Sequence, residues 1–128
     1  MAERLLLDTD VLIDYLRGRA EAITYVEGQT VPLLISAVSV AELYAGGRDG
    51  SERQALDTFI TAFEIVAVSR DIAVKGGLFR RDYDRSHGTG LADAVIAATC
   101  EVRQAELVSS NKRHFPMLAQ VHVPYQRA

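Results

Sequence analysis

The sequence predicts an α/β domain built on a largely parallel sheet, and two observations carry that prediction. Short apolar runs recur at Leu5–Leu7 and at residues 33–35, 65–67, 107–108 and 121–123, about five strands in all. The longer stretches between them repeat their apolar residues at helical spacing, and strands alternating with helices are the pattern of a parallel sheet.

The helical stretches take their ends from recognisable signals. Residues 10–17 stop at Gly18, residues 40–45 stop at Gly46-Gly47, and Ser51-Glu52-Arg53-Gln54 has the S-x-x-Q form of a capping box. Leu56, Phe59, Ile60 and Phe63 follow at helical spacing and form one apolar face. A long helix over 70–85 comes next, weakened by Gly76-Gly77 at roughly 1 kcal/mol per glycine relative to alanine. The turn His87-Gly88-Thr89-Gly90 separates it from a helix over 91–103 that is apolar on nearly every side and so belongs in the interior.

With 128 residues, 48% of them apolar, the chain buries one continuous core and is too short for two ordinary domains, so residues 1–128 are read as one. Cys100 is the only cysteine, which excludes an internal disulfide and any zinc site built on paired cysteines. No apolar run reaches transmembrane length, and Met1-Ala2-Glu3-Arg4 lacks the layout of a signal peptide. The expectation is a soluble protein in a reducing, cytoplasmic setting, with no membrane contact. A formal charge of -3 argues against holding nucleic acid by bulk electrostatics, so any such contact is expected to be local or to pass through a bound cation.

Three acids stand where chemistry is expected. Asp8 directly follows Leu5-Leu6-Leu7, at the carboxyl edge of a buried strand, where ligands bind in open parallel sheets. It is equally placed to cap the helix beginning near Asp10. Glu42 closes Ser39-Val40-Ala41-Glu42, which has the S-x-x-E form of a capping box, and in the first turn of its helix it points toward the same sheet edge. Asp93 is surrounded by Leu91, Ala92, Ala94, Val95, Ile96, Ala97 and Ala98. A carboxylate buried there needs a cation, a shifted pKa or a polar pocket, although stabilisation by the helix N-terminus also suits an acid in the first turn. If the strand at 107–108 is parallel to the first, Asp93 joins Asp8 and Glu42 at one edge.

Three converging carboxylates repel one another unless a cation offsets their charge. An all-carboxylate set with open positions suits a hard ion, Mg²⁺ or Mn²⁺, which accepts substrate phosphate oxygens as further ligands. After the fourth strand come Ser109-Ser110-Asn111-Lys112-Arg113-His114-Phe115. Ser109 is placed to orient the site and Asn111 to meet a metal-bound water. Lys112 and Arg113 either hold a phosphate or belong to a solvated loop. His114 reads as a packing or capping residue.

Four stretches together resemble the PIN-domain ribonucleases, in particular the VapC toxins of bacterial and archaeal toxin–antitoxin pairs. They are Leu6-Leu7-Asp8-Thr9-Asp10-Val11-Leu12-Ile13-Asp14, Ile35-Ser36-Ala37-Val38-Ser39-Val40-Ala41-Glu42-Leu43, Leu91-Ala92-Asp93-Ala94-Val95-Ile96-Ala97-Ala98 and Leu107-Val108-Ser109-Ser110-Asn111-Lys112-Arg113-His114-Phe115. They span nearly the whole chain in the family's order. The resemblance implies a three-layer α/β/α sandwich around a mostly parallel sheet, Mg²⁺ or Mn²⁺ ligation by Asp8, Glu42 and Asp93, and hydrolytic cleavage of RNA. It also implies a small VapB-type antitoxin that covers apolar helices and blocks the site. One departure stands out: these nucleases often carry a fourth acid where this chain has Asn111, which weakens any second metal site. Asp10, where asparagine is frequent in the family, restores negative charge.

Leu43, Tyr44, Leu56, Phe59, Ile60 and Phe63 are more apolar side chains than one core-facing stripe needs, so they are expected to serve a homodimer contact and the antitoxin, or else to fill the core. Rival readings are a haloacid-dehalogenase-like phosphatase, a receiver-like domain and a non-catalytic module of the same fold. The first shares Asp8-Thr9-Asp10-Val11 but needs an acidic pair late in the chain, where no Asp or Glu follows Glu106. The second needs a phosphoacceptor after residues 65–67, where Val68-Ser69 stands. The third is compatible with the sequence.

Overall fold

The computed structural model describes residues 4–126, leaving Met1 to Glu3 and their leader reading outside the described residues. Five strands, β1 (Leu5–Leu7), β2 (Leu33–Ser36), β3 (Glu64–Val66), β4 (Glu106–Val108) and β5 (Val121–His122), pair entirely in parallel in the order β3-β2-β1-β4-β5. Six helices connect them: α1 (Thr9–Leu16), α2 (Ala20–Glu27), α3 (Ala37–Gly46), α4 (Ser51–Phe59), α5 (Arg70–His87) and α6 (Leu91–Arg103).

Alternation along the strands explains the three layers. Leu6, Leu34 and Leu107 point to one side, where they pack with Ile72 of α5 and Ile96, Ala97 and Cys100 of α6. Leu5, Leu7, Ile35 and Val108 point to the other, onto Val11 and Leu12 of α1, Val26 of α2, Leu43 of α3 and Leu56 of α4. A strand buried on both faces cannot alternate polar and apolar residues, which is why β1 reads as an unbroken leucine run. The α/β/α sandwich that the resemblance implied is thus the fold observed.

The second layer also takes up apolar residues of α3 and α4 and of the turn that follows α4. Leu43 and Leu56 are buried, and Tyr44, Phe59, Ile60 and Phe63 pack against the same cluster, with Phe59 stacked on Tyr15 at 5.2 Å and edge-on to Phe63 at 5.1 Å between ring centroids. Leu43 and Leu56 are core residues, while Tyr44, Phe59, Ile60 and Phe63 cover them and stay half-buried. They exceed one stripe because they close a whole face of the sheet.

Helix ends differ from the spacing in three places. Ser36, not Ser39, caps α3, accepting from the Val38 N–H at 3.1 Å, so Glu42 sits in the middle of the helix and not in its first turn. Gly50, with φ of +83°, stands at the cap of α4, and Ser51 is its first helical residue. Helix α2 was not expected: it buries only Ala22 and Val26, too few positions to register as a periodic face. The glycine pair of α5 has a packing reason, since a Cβ on Gly76 would lie 3.1 Å from the Val95 Cα of α6. Close approach of the two helices offsets the propensity cost of that glycine.

Candidate active site

The strand order dictates where the site lies. From β1 the chain builds outward to β2 and β3 on one side, then returns to place β4 and β5 on the other. Connections diverge between β1 and β4, and the crevice beyond their carboxyl ends is where such sheets bind ligands. Leu7 pairs with Val108, so Asp8 and Ser109, the next residues of each strand, emerge side by side. The Ser109 hydroxyl donates to Asp8 Oδ2 at 2.7 Å, and the Asp8 N–H donates to the Val108 carbonyl at 2.9 Å.

Asp8 is also the N-cap of α1, its Oδ1 accepting from the Thr9 N–H at 2.8 Å. Capping and site readings therefore coincide in one residue. Asp10 reaches the loop after β4: its Oδ2 accepts from the Ser110 N–H at 3.0 Å, from the Ser110 hydroxyl, and from Asn111 Nδ2 at 3.4 Å. The Asn111 N–H in turn donates to Ser109 Oγ at 3.0 Å. Asp8, Asp10, Ser109 and Asn111 thus form one network across the β1–β4 crevice.

Helix α6 runs back into β4, so its first turn lies at the same edge and carries Asp93. Asp93 Oδ2 stands 3.2 Å from His114 Nδ1. His114 is seated by its backbone, its carbonyl accepting from the fully buried Thr89 hydroxyl at 2.7 Å and its N–H donating to the Asn111 carbonyl at 2.9 Å. Packing was its expected role; its ring facing Asp93 was not legible. Glu42 comes from α3 and is tied to the edge through Thr9, whose hydroxyl donates to Glu42 Oε1 at 2.7 Å. Thr9 and Ser110 are the other residues that sequence reasoning missed, although both adjoin acids or serines it had singled out. Lys112 and Arg113 are exposed on the short 3₁₀ turn Lys112–His114, which the fully buried Phe115 anchors.

Electrostatics mark Asp8 as the centre. Only 4% exposed, its carboxyl is pushed up from 3.8 to about 7, first by burial and then by the Asp10 charge, with Asp93 adding to the rise. The bonds from Ser109 and Thr9 work in the opposite direction and do not prevail. Among the described residues no group of three His, Cys, Asp or Glu side chains is gathered closely enough to hold a metal ion; Glu42 is bonded to Thr9, and Asp93 faces His114. The donor chemistry nevertheless fits a hard divalent cation: the side chains are carboxylates, and the most buried of them lacks charge compensation.

Fold and site together define a class, a parallel α/β domain with its acids at the switch point of the sheet. The sequence profile of the PIN domain matches residues 5–120. Ribonuclease VapC10 of Mycobacterium tuberculosis is 39% identical over 124 residues, covering 94% of this chain and 92% of that protein. Ribonuclease VapC19 of the same organism is 40% identical over 124 residues, covering 94% and 98%. Among solved structures, a toxin-antitoxin complex from Klebsiella pneumoniae superposes with a TM-score of 0.83 at 29% identity, over 96% of this chain and 99% of that one. The chain belongs to the PIN-domain family, among its VapC ribonucleases.

Proposed function

We propose that this protein is an endoribonuclease that hydrolyses RNA phosphodiester bonds with a carboxylate-bound Mg²⁺ or Mn²⁺, and that it acts as the toxin of a toxin–antitoxin pair. The observation that carries the reading is Asp8, a buried carboxylate at the switch point whose pKa is raised to about 7 beside Asp10 and Asp93. Asp8, Glu42 and Asp93 would hold the ion, which when bound supplies an activated water and a counter-charge for the phosphate. Ser109 and the Thr9 N–H orient Asp8, while Asp10 fastens the loop bearing Asn111. Lys112 and Arg113, exposed on that loop, would hold a flanking phosphate in a chain of net charge -3. Purified protein is expected to cut a defined RNA with Mg²⁺ or Mn²⁺ and to lose cleavage in EDTA. Full activity in the chelator would overturn the metal-dependent reading.

The partner we infer is a VapB-type antitoxin. The support is membership among the VapC ribonucleases together with a groove of about 320 Å³ lined by Ile13, Leu16, Leu43, Leu56 and the site residue Glu42. A segment lying there would reach Glu42 directly. No described helix is long and apolar enough to cross a membrane, and we place the pair in the cytoplasm as a homodimeric toxin with its antitoxin. Expression alone is expected to arrest growth, and expression with the product of the neighbouring small reading frame to restore it and shift the elution volume to a larger complex. Normal growth alone, with a monomer in both samples, removes the toxin reading.

A further inference from the structure

We propose that Thr9 is a positioning residue that sets the carboxylates of Asp8 and Glu42 in a common register. The inference rests on the metal-dependent nuclease reading above and assigns a role in it to a side chain that is not itself one of the proposed ligands. Thr9 touches both acids with different parts of itself: its backbone N–H donates to Asp8 Oδ1 at 2.8 Å, and its hydroxyl donates to Glu42 Oε1 at 2.7 Å. The two acids are contributed by α3 and by the end of β1, so no shared element holds them. Thr9 is the covalent neighbour of one and the hydrogen-bond partner of the other.

Three features make the arrangement directional. Thr9 is 8% exposed, and its Oγ1 lies 2.8 Å from Oγ of the fully buried Ser39. A hydroxyl has one proton; with that of Thr9 given to Glu42, the Ser39 hydroxyl closes the second contact by donating to Thr9. The order Ser39 to Thr9 to Glu42 leaves each oxygen satisfied, and no buried side-chain polar atom among the described residues lacks a partner. Thr9 is also β-branched, which restricts χ1 in the first turn of α1, and its contacts to Ser39 and Glu42 select the rotamer. Glu42 is otherwise an exposed side chain in mid-helix, with three torsions to lose on binding a cation. The Thr9 bond removes part of that cost before any ion arrives.

The test uses Thr9→Val, which keeps shape and removes the hydroxyl, and Thr9→Ser, which returns it. For the Val variant, kcat for a defined RNA and the Mn²⁺ affinity of the RNA-free protein by titration calorimetry are each expected to fall about 10- to 100-fold, with KM for RNA unchanged. Ser is expected to recover most of both. A Glu42→Gln variant separates the two readings. If Glu42→Gln cleaves at the wild-type rate, the site assignment itself fails. If Glu42→Gln is inactive while Thr9→Val keeps wild-type kcat and Mn²⁺ affinity, the role of Thr9 alone is overturned. Adding Thr9→Val to Glu42→Gln is expected to cost no further Mn²⁺ affinity, since the two act through one contact; additive losses would also overturn it. Should Thr9→Val not fold, Thr9→Ala carries the same comparisons.

Discussion

Asp8→Asn and Asp93→Asn are each expected to lower cleavage of a defined RNA by about 10³-fold or more at saturating Mg²⁺, with the fold retained. For Asp8 the exchange is nearly free of steric cost. The amide oxygen keeps its bond from the Thr9 N–H, and the amide nitrogen replaces Oδ2 opposite Ser109, whose hydroxyl reverses from donor to acceptor. What disappears is the charge that would attract the ion. For Asp93 the amide faces His114 in the same place, and the first turn of α6 retains its backbone bond from the Ala94 N–H to the Gly90 carbonyl. Cleavage rates alongside far-UV circular dichroism check the prediction. Two folded variants cutting at the wild-type rate would remove both residues from the site.

A second large effect is expected in the metal-free protein, whose stability should fall as pH rises from about 4 to about 7. The carboxyl of Asp8 titrates at about 7 in the fold against an ordinary value of 3.8. Between those values the native state keeps a proton that the unfolded chain has released, so raising the pH favours unfolding. Below 3.8 both states are protonated and Asp8 contributes nothing; above about 7 the full penalty applies. At 1.36 kcal/mol per pH unit the penalty is about 4 kcal/mol, on the order of 10 °C in Tm for a domain of this size. Asp8→Asn removes the titration, so the variant is expected to match wild type near pH 4 and to exceed it at pH 8 in EDTA. Divalent ions should restore wild type at pH 8 and leave the variant unchanged. Groups that do not interact with Asp8 titrate alike in both proteins and cancel in the difference. Parallel Tm profiles across that window would mean that Asp8 is not held as an uncompensated buried acid.

Much of this site is written locally. The leucine run of β1 ends at Asp8 because a strand buried on both faces gives way abruptly to a polar edge, and that change is visible in four consecutive residues. The bounds of α6 are likewise legible, since Gly90 precedes a stretch that is apolar but for Asp93 and Thr99 until it reaches Glu101. Period and termination are properties of neighbouring residues, and a sequence displays them directly. The start of α3 was less legible because two serines, Ser36 and Ser39, both precede its apolar turn; the strand's length, set by pairing with β3, decides between them.

What the tertiary structure alone decided are the contacts between distant parts of the chain. Ser109 meets Asp8 across 101 residues because β4 returns to lie beside β1, and no local pattern encodes which side of the sheet a returning strand takes. The bond from Thr9 to Glu42 spans 33 residues and depends on α3 packing against α1. How far the apolar side chains of α3 and α4 are covered was decided in the same way: a helical stripe records that a face is buried, while the assembled layer buries Leu43 and Leu56 and leaves Tyr44 and Phe59 half-buried. Residue types and their spacing therefore determined the sheet, its acids and the edge on which they fall. Which neighbour holds each acid was determined by strand order, because hydrogen bonds reach about 3 Å and only the assembled sheet brings their partners within that distance.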